Sequence, residues 1–348
     1  MTAPTHVDVA RLPEVEQRSP DGRFHSFCRN VSLALGGTRN AGTAEGGHPF
    51  DVQIRRLPPG AAVCPFHVHL GQWELFLVLR GAGTVRAGDR REPVREGDCL
   101  LHPPGEAHQL INTGDADLEV LIVADNPAVD AFHYPDSNKW GLRPPDAFFR
   151  LTPAAYFDGE DESAPPPLPF APGAYPPSAL AIPPPATPFA RRRVALADIP
   201  WEEWASPRGR FRSAGRQVSR ALGAVPRAPR TAGGHPFDLE ACRVPPGAAA
   251  CPFHWHALQW EFYLVTKGTA EFRRGDDRLR LGPGDAVLAP PFVAHAIANA
   301  GDGDLEYLLV ADDPPADYWH YPDSGKFGFS HPRRYFRPQD ADYFDGEE

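Results

Sequence analysis

Two histidines, His67 and His69, stand one residue apart in Cys64-Pro65-Phe66-His67-Val68-His69, and Glu74 follows inside Gln72-Trp73-Glu74-Leu75-Phe76. Side chains alternate along an extended segment, so residues at i and i+2 project from one face. A turn back into Glu74 brings a carboxylate to the same point, and His108 supplies a fourth donor from a neighbouring strand. Imidazole and carboxylate converging from a sheet suit a divalent transition metal. The set recurs as His254, His256, Glu261 and His295. Three neutral imidazoles and one carboxylate leave such an ion with a net charge of about +1 and, if six-coordinate, about two open positions, room for a bidentate oxygen ligand or for a substrate oxygen plus dioxygen. Four polar groups turned into one interior are costly to bury without a common partner, which argues against a motif kept only for packing.

The elements that position these residues are themselves repeated. Adding 187 to a position in the first half gives its counterpart: Gly46-Gly47-His48-Pro49-Phe50-Asp51 becomes Gly233-Gly234-His235-Pro236-Phe237-Asp238, and His133-Tyr134-Pro135-Asp136-Ser137 becomes His320-Tyr321-Pro322-Asp323-Ser324. Tyr156-Phe157-Asp158-Gly159 likewise becomes Tyr343-Phe344-Asp345-Gly346. The expected division is one domain over 1–163, a proline-rich spacer over 164–193 with extended polyproline geometry, and a second domain over 194–348. Within each copy, short β-type runs such as Glu74–Leu79, Leu118–Val123, Glu261–Val265 and Leu305–Val310 alternate with Gly and Pro turns, the pattern of an all-β sandwich or barrel. The region before the ligands in each copy has fewer strand signals, and a short helix is expected around Trp201–Trp204.

Composition narrows the function classes. The 348 residues carry a formal net charge of −10, and the longest basic run, Arg191-Arg192-Arg193, reads as solvating the end of the spacer, so nucleic acid is not an expected partner. No apolar run is long enough to span a bilayer and no secretory core follows Met1; with five cysteines, an odd count, the expectation is reduced thiols and a cytoplasmic home. Cys64 and Cys251, three residues before the first ligand, are expected on the opposite face as buried structural thiols. His48, His235, His133 and His320 are expected to make structural contacts in turns.

The spacing resembles the two signatures of the cupin superfamily, and the duplication resembles a bicupin. The first signature is Gly60…His67-Val68-His69…Glu74…Gly81, with six residues between Gly60 and His67 where five are usual; the second is Gly97-Asp98…Pro103-Pro104-Gly105-Glu106-Ala107-His108…Asn112. The other copy gives Gly247…His254-Trp255-His256…Glu261…Gly268 and Gly284-Asp285…Pro290-Pro291-Phe292…His295…Asn299, where Phe292 replaces the usual glycine and puts the tight turn in question. The resemblance implies two double-stranded β-helix (jelly-roll) barrels, each holding one divalent metal (Fe, Mn, Ni, Cu or Zn) through three His and one Glu. It also implies a small-molecule substrate, and paired barrels of this kind commonly associate further, which leaves a homo-oligomer open.

Differences between the copies bear on substrate. Gln72 and Gln259, two residues before each Glu, are candidate donors that orient a ligand. His102, Glu106 and Gln109 in the first copy face Ala289, Val293 and Ala296 in the second, so the first pocket reads as more polar, with His102 and Glu106 as candidate acid–base groups. Phe76 is matched by Tyr263, a candidate catalytic residue in a pocket made more aromatic by Trp255 and Phe292. The family implies a metal-dependent oxidoreductase, of dioxygenase type, on a small oxygenated molecule chelated to the metal. The rivals are a non-redox isomerase or lyase on a carbohydrate acid, and a binding or storage protein without turnover. No stretch matches the lid of an oxalate decarboxylase.

Overall fold

A computed structural model describes residues 5–151, 182, 184–226, 228, 230–330 and 333–347. Most of the spacer expected over 164–193, and the Tyr156–Gly159 copy of the terminal motif, lie outside these residues. Among the described residues no helix is long and apolar enough to cross a membrane.

The first repeat is built from β1 (His6–Asp8), β2 (Val15–Arg18), β3 (His25–Asn30), β4 (Phe50–Leu57), β5 (Val68–His69), β6 (Glu74–Arg80), β7 (Ala82–Ala87) and β8 (Arg90–Arg95). It continues through β9 (Asp98–His102), β10 (His108–Ile111), β11 (Leu118–Asp125), β12 (Asp130–Tyr134), β13 (Lys139–Arg143) and β14 (Ala147–Phe149). The second runs β15 (Arg193–Ala195), β16 (Glu202–Ala205), β17 (Arg212–Gln217), β18 (Phe237–Val244), β19 (Trp255–His256), β20 (Glu261–Lys267) and β21 (Ala270–Arg274). It ends with β22 (Asp277–Leu281), β23 (Asp285–Ala289), β24 (His295–Asn299), β25 (Leu305–Asp312), β26 (Tyr318–Tyr321), β27 (Lys326–Phe329) and β28 (Arg334–Phe336). Each repeat is a jelly-roll: a seven-stranded antiparallel sheet faces a three-stranded and a four-stranded one.

The two large sheets have the orders β15-β9-β6-β11-β4-β3-β2 and β1-β23-β20-β25-β18-β17-β16. Each repeat therefore lends its first strand to the other's sheet. Residues 6–8 pair with 285–287, and residues 193–195 pair with 98–100. The exchange is pinned by ion pairs at equivalent places, His6 to Asp285 at 2.8 Å and Arg193 to Asp98 at 2.9 Å.

Alternation along the central strands explains their unbroken apolar runs. In β4, Phe50, Val52 and Ile54 enter a core shared with Phe237, Leu239 and Ala241 of β18, whereas Leu57 belongs to the interior of the first barrel. In β6, Leu75 and Leu77 face that shared core while Phe76 and Val78 face inward. The large sheets thus pack against each other and both of their faces are covered, so β6 reads as a continuous apolar run, while in β4 the inward positions Asp51, Gln53 and Arg55 are polar and line a cavity. His48 lies on Trp260 and His235 on Trp73, both with ring centroids 5.2 Å apart, so these two of the four histidines expected in turns are contacts between repeats, whereas His133 and His320 lie in β12 and β26 and stack on Trp140 and Phe327.

Three local expectations are corrected. The helix expected around Trp201–Trp204 is an edge strand, β16, paired with β17, and the described α-helices are single turns at Val31–Ala34 and Val218–Ala221. Every residue of β16 is exposed, so no buried face marks its period. Cys64 is not on the far side from His67: its Sγ lies 3.5 Å from His67 Nδ1, because Pro65 interrupts the strand and the pleat does not carry through. The Arg191–Arg193 run is not a solvated end, since Arg192 is buried. The turn questioned at Phe292 is kept: Phe292 adopts φ 63°, and its N–H donates to the His256 carbonyl at 2.7 Å, as that of Gly105 donates to His69 at 2.9 Å.

Candidate metal centres

The two arms of each centre come from different sheets. His67 and His108 face each other through a pair of backbone bonds (N–H of His108 to O of His67, 2.8 Å), and His254 and His295 do the same at 2.8 Å. β5 carries His69, and the first residue of β6 is Glu74. The ligating atoms of His67, Glu74 and His108 lie within 4.8 Å of one another, as do those of His254, Glu261 and His295. His69 Nε2 is 3.1 Å from His67 Nε2, and the His256 ring centroid is 4.9 Å from that of His254. Three of the four expected ligands in each repeat thus form one compact group, and His69 and His256 stand beside it against His67 and His254.

The protonation pattern decides what these clusters suit. His67, His108, His254 and His295 each direct Nδ1 at a backbone carbonyl, of Pro65, Glu106, Pro252 and Val293, at 2.9, 3.1, 2.9 and 2.9 Å. A carbonyl only accepts, so Nδ1 carries the proton and Nε2 presents a lone pair. His69 and His256 direct Nδ1 at carboxylates, Asp130 at 2.5 Å and Asp317 at 2.6 Å, with the same result. With all three rings neutral, three bare nitrogens would face a carboxylate: His108 Nε2 is 2.6 Å from Glu74 Oε2, and His295 Nε2 is 2.6 Å from Glu261 Oε2. Such a set repels itself unless a cation lies among its members, and fixing Nδ1–H from behind is how ligating histidines are held. The donor set fits a divalent transition metal.

Without an ion a proton takes the cation's place: burial acts to lower His108, but the hydrogen bond to Glu74 and that carboxylate's charge outweigh it and raise the imidazole, and His256 is raised by Asp317 and Glu261 in the same way. Burial acts to raise the Glu74 carboxyl, but the His108 hydrogen bond and the nearby His108, His69 and His67 outweigh it and hold it below the usual range; Glu261 is held down the same way by His295, His256 and His254. Burial drives His67 well below an ordinary imidazole, with His108 and His69 adding to the effect. His67 is therefore neutral, as a ligand must be.

Asp130 and Asp317 were not found from the motifs. They arrive from β12 and the segment before β26, 61 residues beyond their histidines, and Asp130 also accepts the Gly71 N–H at 2.8 Å. The segments after each barrel thus pair with the ligand-bearing strand, Phe132 opposite His69 and Trp319 opposite His256. One sequence signal existed: both aspartates are kept at the 187 offset while Val129 and Ala131 become Ala316 and Tyr318.

The remaining candidates take distinct places. Gln72 and Gln259 donate Nε2 to the carbonyls of Asp125 and Asp312, at 2.7 and 2.8 Å, and Gln72 also lines the cavity described below. His102 stacks on the ligand His108 with centroids 4.2 Å apart and planes within 9°, and its Nδ1 meets Glu106 at 2.8 Å. Glu106 is gripped from the other side by both terminal nitrogens of Arg192. Burial raises its carboxyl, but Arg192 and His102 bring it down to about 2, and burial takes His102 down to about 4. Tyr263 donates its hydroxyl to Glu261 Oε2 at 2.8 Å, an interaction Phe76 cannot make in the first repeat.

A cavity of about 240 Å³ opens on the first centre, its wall including His67, Glu74, Phe76 and Cys64 and the amides of Gln17, Asn30, Asn40, Gln53 and Gln72. In the second repeat Tyr263, Tyr307 and Cys242 sit together in one packed cluster.

A model of the cupin domain matches residues 53–124 and again 241–311, the two segments that carry these ligand sets. The chain carries the cupin domain twice, in tandem. The first cupin and second cupin, as they are called from here, have relatives of several kinds. An oxalate-binding protein of Thermotoga maritima is 38% identical over 68 residues, 20% of this chain and 55% of that protein. Auxin-binding protein 1 of Arabidopsis thaliana is 30% identical over 95 residues, 25% of this chain and 47% of that protein. The chain spans about half the length of these curated relatives. Among solved structures, the formate complex of Lactobacillus farciminis oxalate decarboxylase superposes with a TM-score of 0.53 at 18% identity, covering 90% of this chain and 87% of that one. A variant of the Bacillus subtilis oxalate decarboxylase gives 0.52 at 16%, covering 91% and 79%. These likenesses show the two-barrel fold.

Proposed function

We propose that this bicupin is a metal-dependent enzyme with its working site in the first cupin, an oxidoreductase of dioxygenase type acting on a small, oxygen-rich substrate. The observation that carries the reading is the cavity beside His67 and Glu74, about 240 Å³, its wall formed by the amides of Gln17, Asn30, Asn40, Gln53 and Gln72 together with Arg39, Arg55 and Asp51. That is smaller than the roughly 300–1,000 Å³ of drug-sized sites, and its lining suits hydroxyl, carbonyl and carboxylate groups.

His67, His69, Glu74 and His108 hold the ion of the first cupin, and His254, His256, Glu261 and His295 hold that of the second. When bound, a divalent transition ion supplies Lewis acidity, and in the redox-active cases electron transfer, to a substrate coordinated through its oxygens. The chain's own part is to bind and orient. Gln72 fixes the turn into Glu74, and the free faces of Gln17, Asn30 and Gln53 meet substrate oxygens. His102 holds the plane of His108. Glu106, ion-paired to Arg192 and held near 2, serves to orient His102 rather than to take protons at neutral pH.

A second reading, binding of a small acid without turnover, draws support from the matched segment of the oxalate-binding relative, and a third is a non-redox isomerase or lyase on a carbohydrate acid. One experiment separates the readings. Protein stripped with chelator is reloaded with iron, manganese, nickel, copper or zinc and given a panel of small hydroxy-, oxo- and dicarboxylic acids, with oxygen uptake and carbon dioxide recorded together. Oxygen consumed in step with product supports the dioxygenase. Carbon dioxide without net oxygen uptake favours the lyase, and saturable binding without product overturns the enzymatic reading.

A further inference from the structure

We propose that Arg55 is the anion-recognition residue of the first cupin, so that the cavity takes a small dicarboxylate with one carboxylate at the metal-facing end and the other on the Arg55 guanidinium. This rests on the function proposed above and narrows its substrate class.

Arg55 lies on β4, on the strand face that also carries Gln53 and Asp51, and its side chain lines the cavity. It is 7% exposed. Nη1 donates to Gln17 Oε1 at 2.6 Å and Ser26 Oγ at 3.0 Å, and Nε donates to Gln53 Oε1 at 3.0 Å. All three acceptors are neutral. Among the described residues no carboxylate forms an ion pair with Arg55, and Nη2 makes no hydrogen bond to any of them; the other buried guanidinium of this cupin, Arg192, has Glu106. A buried charge without a counter-charge is costly, and guanidinium is the side chain best shaped to meet a carboxylate with two parallel bonds. Two carboxylates share the cavity wall with Arg55: Glu74, which is committed to the histidine cluster, and Asp51, which accepts the Asn40 N–H at 3.2 Å and has a second guanidinium, Arg39, on the same wall. With Arg39 and Asp51 offsetting one another, the charge of Arg55 is left for an anion, and a dianion places its second carboxylate at the metal-facing end.

A purely structural role as a tie between β2, β3 and β4 is the competing account, and the second cupin weighs against it. There Cys242 replaces Arg55, Trp204 replaces Gln17 and Glu240 replaces Gln53. The three strands nevertheless keep the same register, Trp204 opposite Ser213 and Gly215 opposite Cys242, matching Gln17 opposite Ser26 and Cys28 opposite Arg55. The fold forms without a guanidinium at this position. What the second cupin has in its place is the Cys242, Tyr263 and Tyr307 cluster, packed where the first has a cavity.

The test is calorimetric titration of the full chain, with its metal content measured in each sample, using malonate and malonamate as probes of equal size that differ by one carboxylate. The wild type should bind malonate at least tenfold more tightly than malonamate. Arg55→Gln should lose at least tenfold in malonate affinity and no longer separate the two probes, with metal content unchanged, while Arg55→Lys falls between. Undiminished malonate binding by metal-replete Arg55→Gln overturns the proposal, as does a wild type that fails to bind malonate or to distinguish it from malonamate; the wild-type comparison decides the matter even if the variants do not fold. A chain that holds no ion at His67, His69, Glu74 and His108, yet separates the probes through Arg55, would sink the function proposed above and leave this inference standing.

Discussion

The six histidines of the two centres owe their usefulness to what lies behind them. At His69 and His256 the acceptor is a carboxylate, Asp130 or Asp317, rather than a backbone carbonyl, and so it can be changed without breaking the chain's path. Asp130→Asn keeps the shape but can offer an N–H to Nδ1, which favours the tautomer with its proton on Nε2 and removes the lone pair from the site. The first centre of Asp130→Asn should lose about 10–100-fold in metal affinity while the second is untouched. Competition with a graded chelator checks this: the variant should release one ion per chain early and the other where the wild type does. Equal release of both would refute it. At this scale the ligands were legible in the sequence because they fall within short motifs whose spacing follows the pleat. Asp130, Arg55 and Arg192 were not, because each reaches its place through tertiary structure: Asp130 from a paired strand 61 residues farther along the chain, Arg55 from a strand with no motif, and Arg192 from the end of the spacer.

Elements exchange between the repeats, and Arg192 shows what the exchange does. It directly precedes β15, the strand of the second repeat that completes the first repeat's sheet, and it donates to the Leu101 carbonyl at 2.9 Å as well as to Glu106. Its counterpart at the 187 offset is Thr5, and Val293 stands where Glu106 would be, so this buried pair belongs to the first cupin alone. Removing one partner of a buried pair strands the other's charge, whereas replacing both by apolar groups is often nearly neutral. Arg192→Met should therefore lower stability by about 3–5 kcal/mol, and adding Glu106→Leu should recover most of that loss. Urea unfolding of the two single variants and the double gives the cycle, and additive losses would contradict it. The strands themselves were read from β-type runs and turns, and the barrels followed from the motifs. What alternation would have shown, which face meets which, was hidden in β6 and β11, because both of their faces are apolar for different reasons: one fills a barrel and the other the core between barrels; β4 does alternate, with Asp51, Gln53 and Arg55 turned to the cavity.

The two barrels behave as one folded body because their large sheets share a core, and the seam is marked by His48 and His235. Burial alone takes both imidazoles down to about 4, from an ordinary value of 6.5. The folded chain keeps them neutral where the unfolded chain binds protons, so their contribution is fully present above pH 6.5 and is lost as pH falls from 6.5 toward 4. For a shift of this size the loss is roughly 3 kcal/mol per histidine over that window. Asp125 and Asp312 act in the opposite sense, since burial raises both to about 7 and stability from that source is lost as pH rises toward 7. The parent's pH profile thus mixes two slopes, and only a comparison isolates the seam. His48→Asn with His235→Asn removes the titration but leaves the aspartates, so whatever the pair costs at pH 8, its melting temperature should fall less than the parent's between pH 6.5 and 4.5. Parallel profiles for parent and variant would show that the histidines at the seam are protonated without penalty and would overturn this account of the interface.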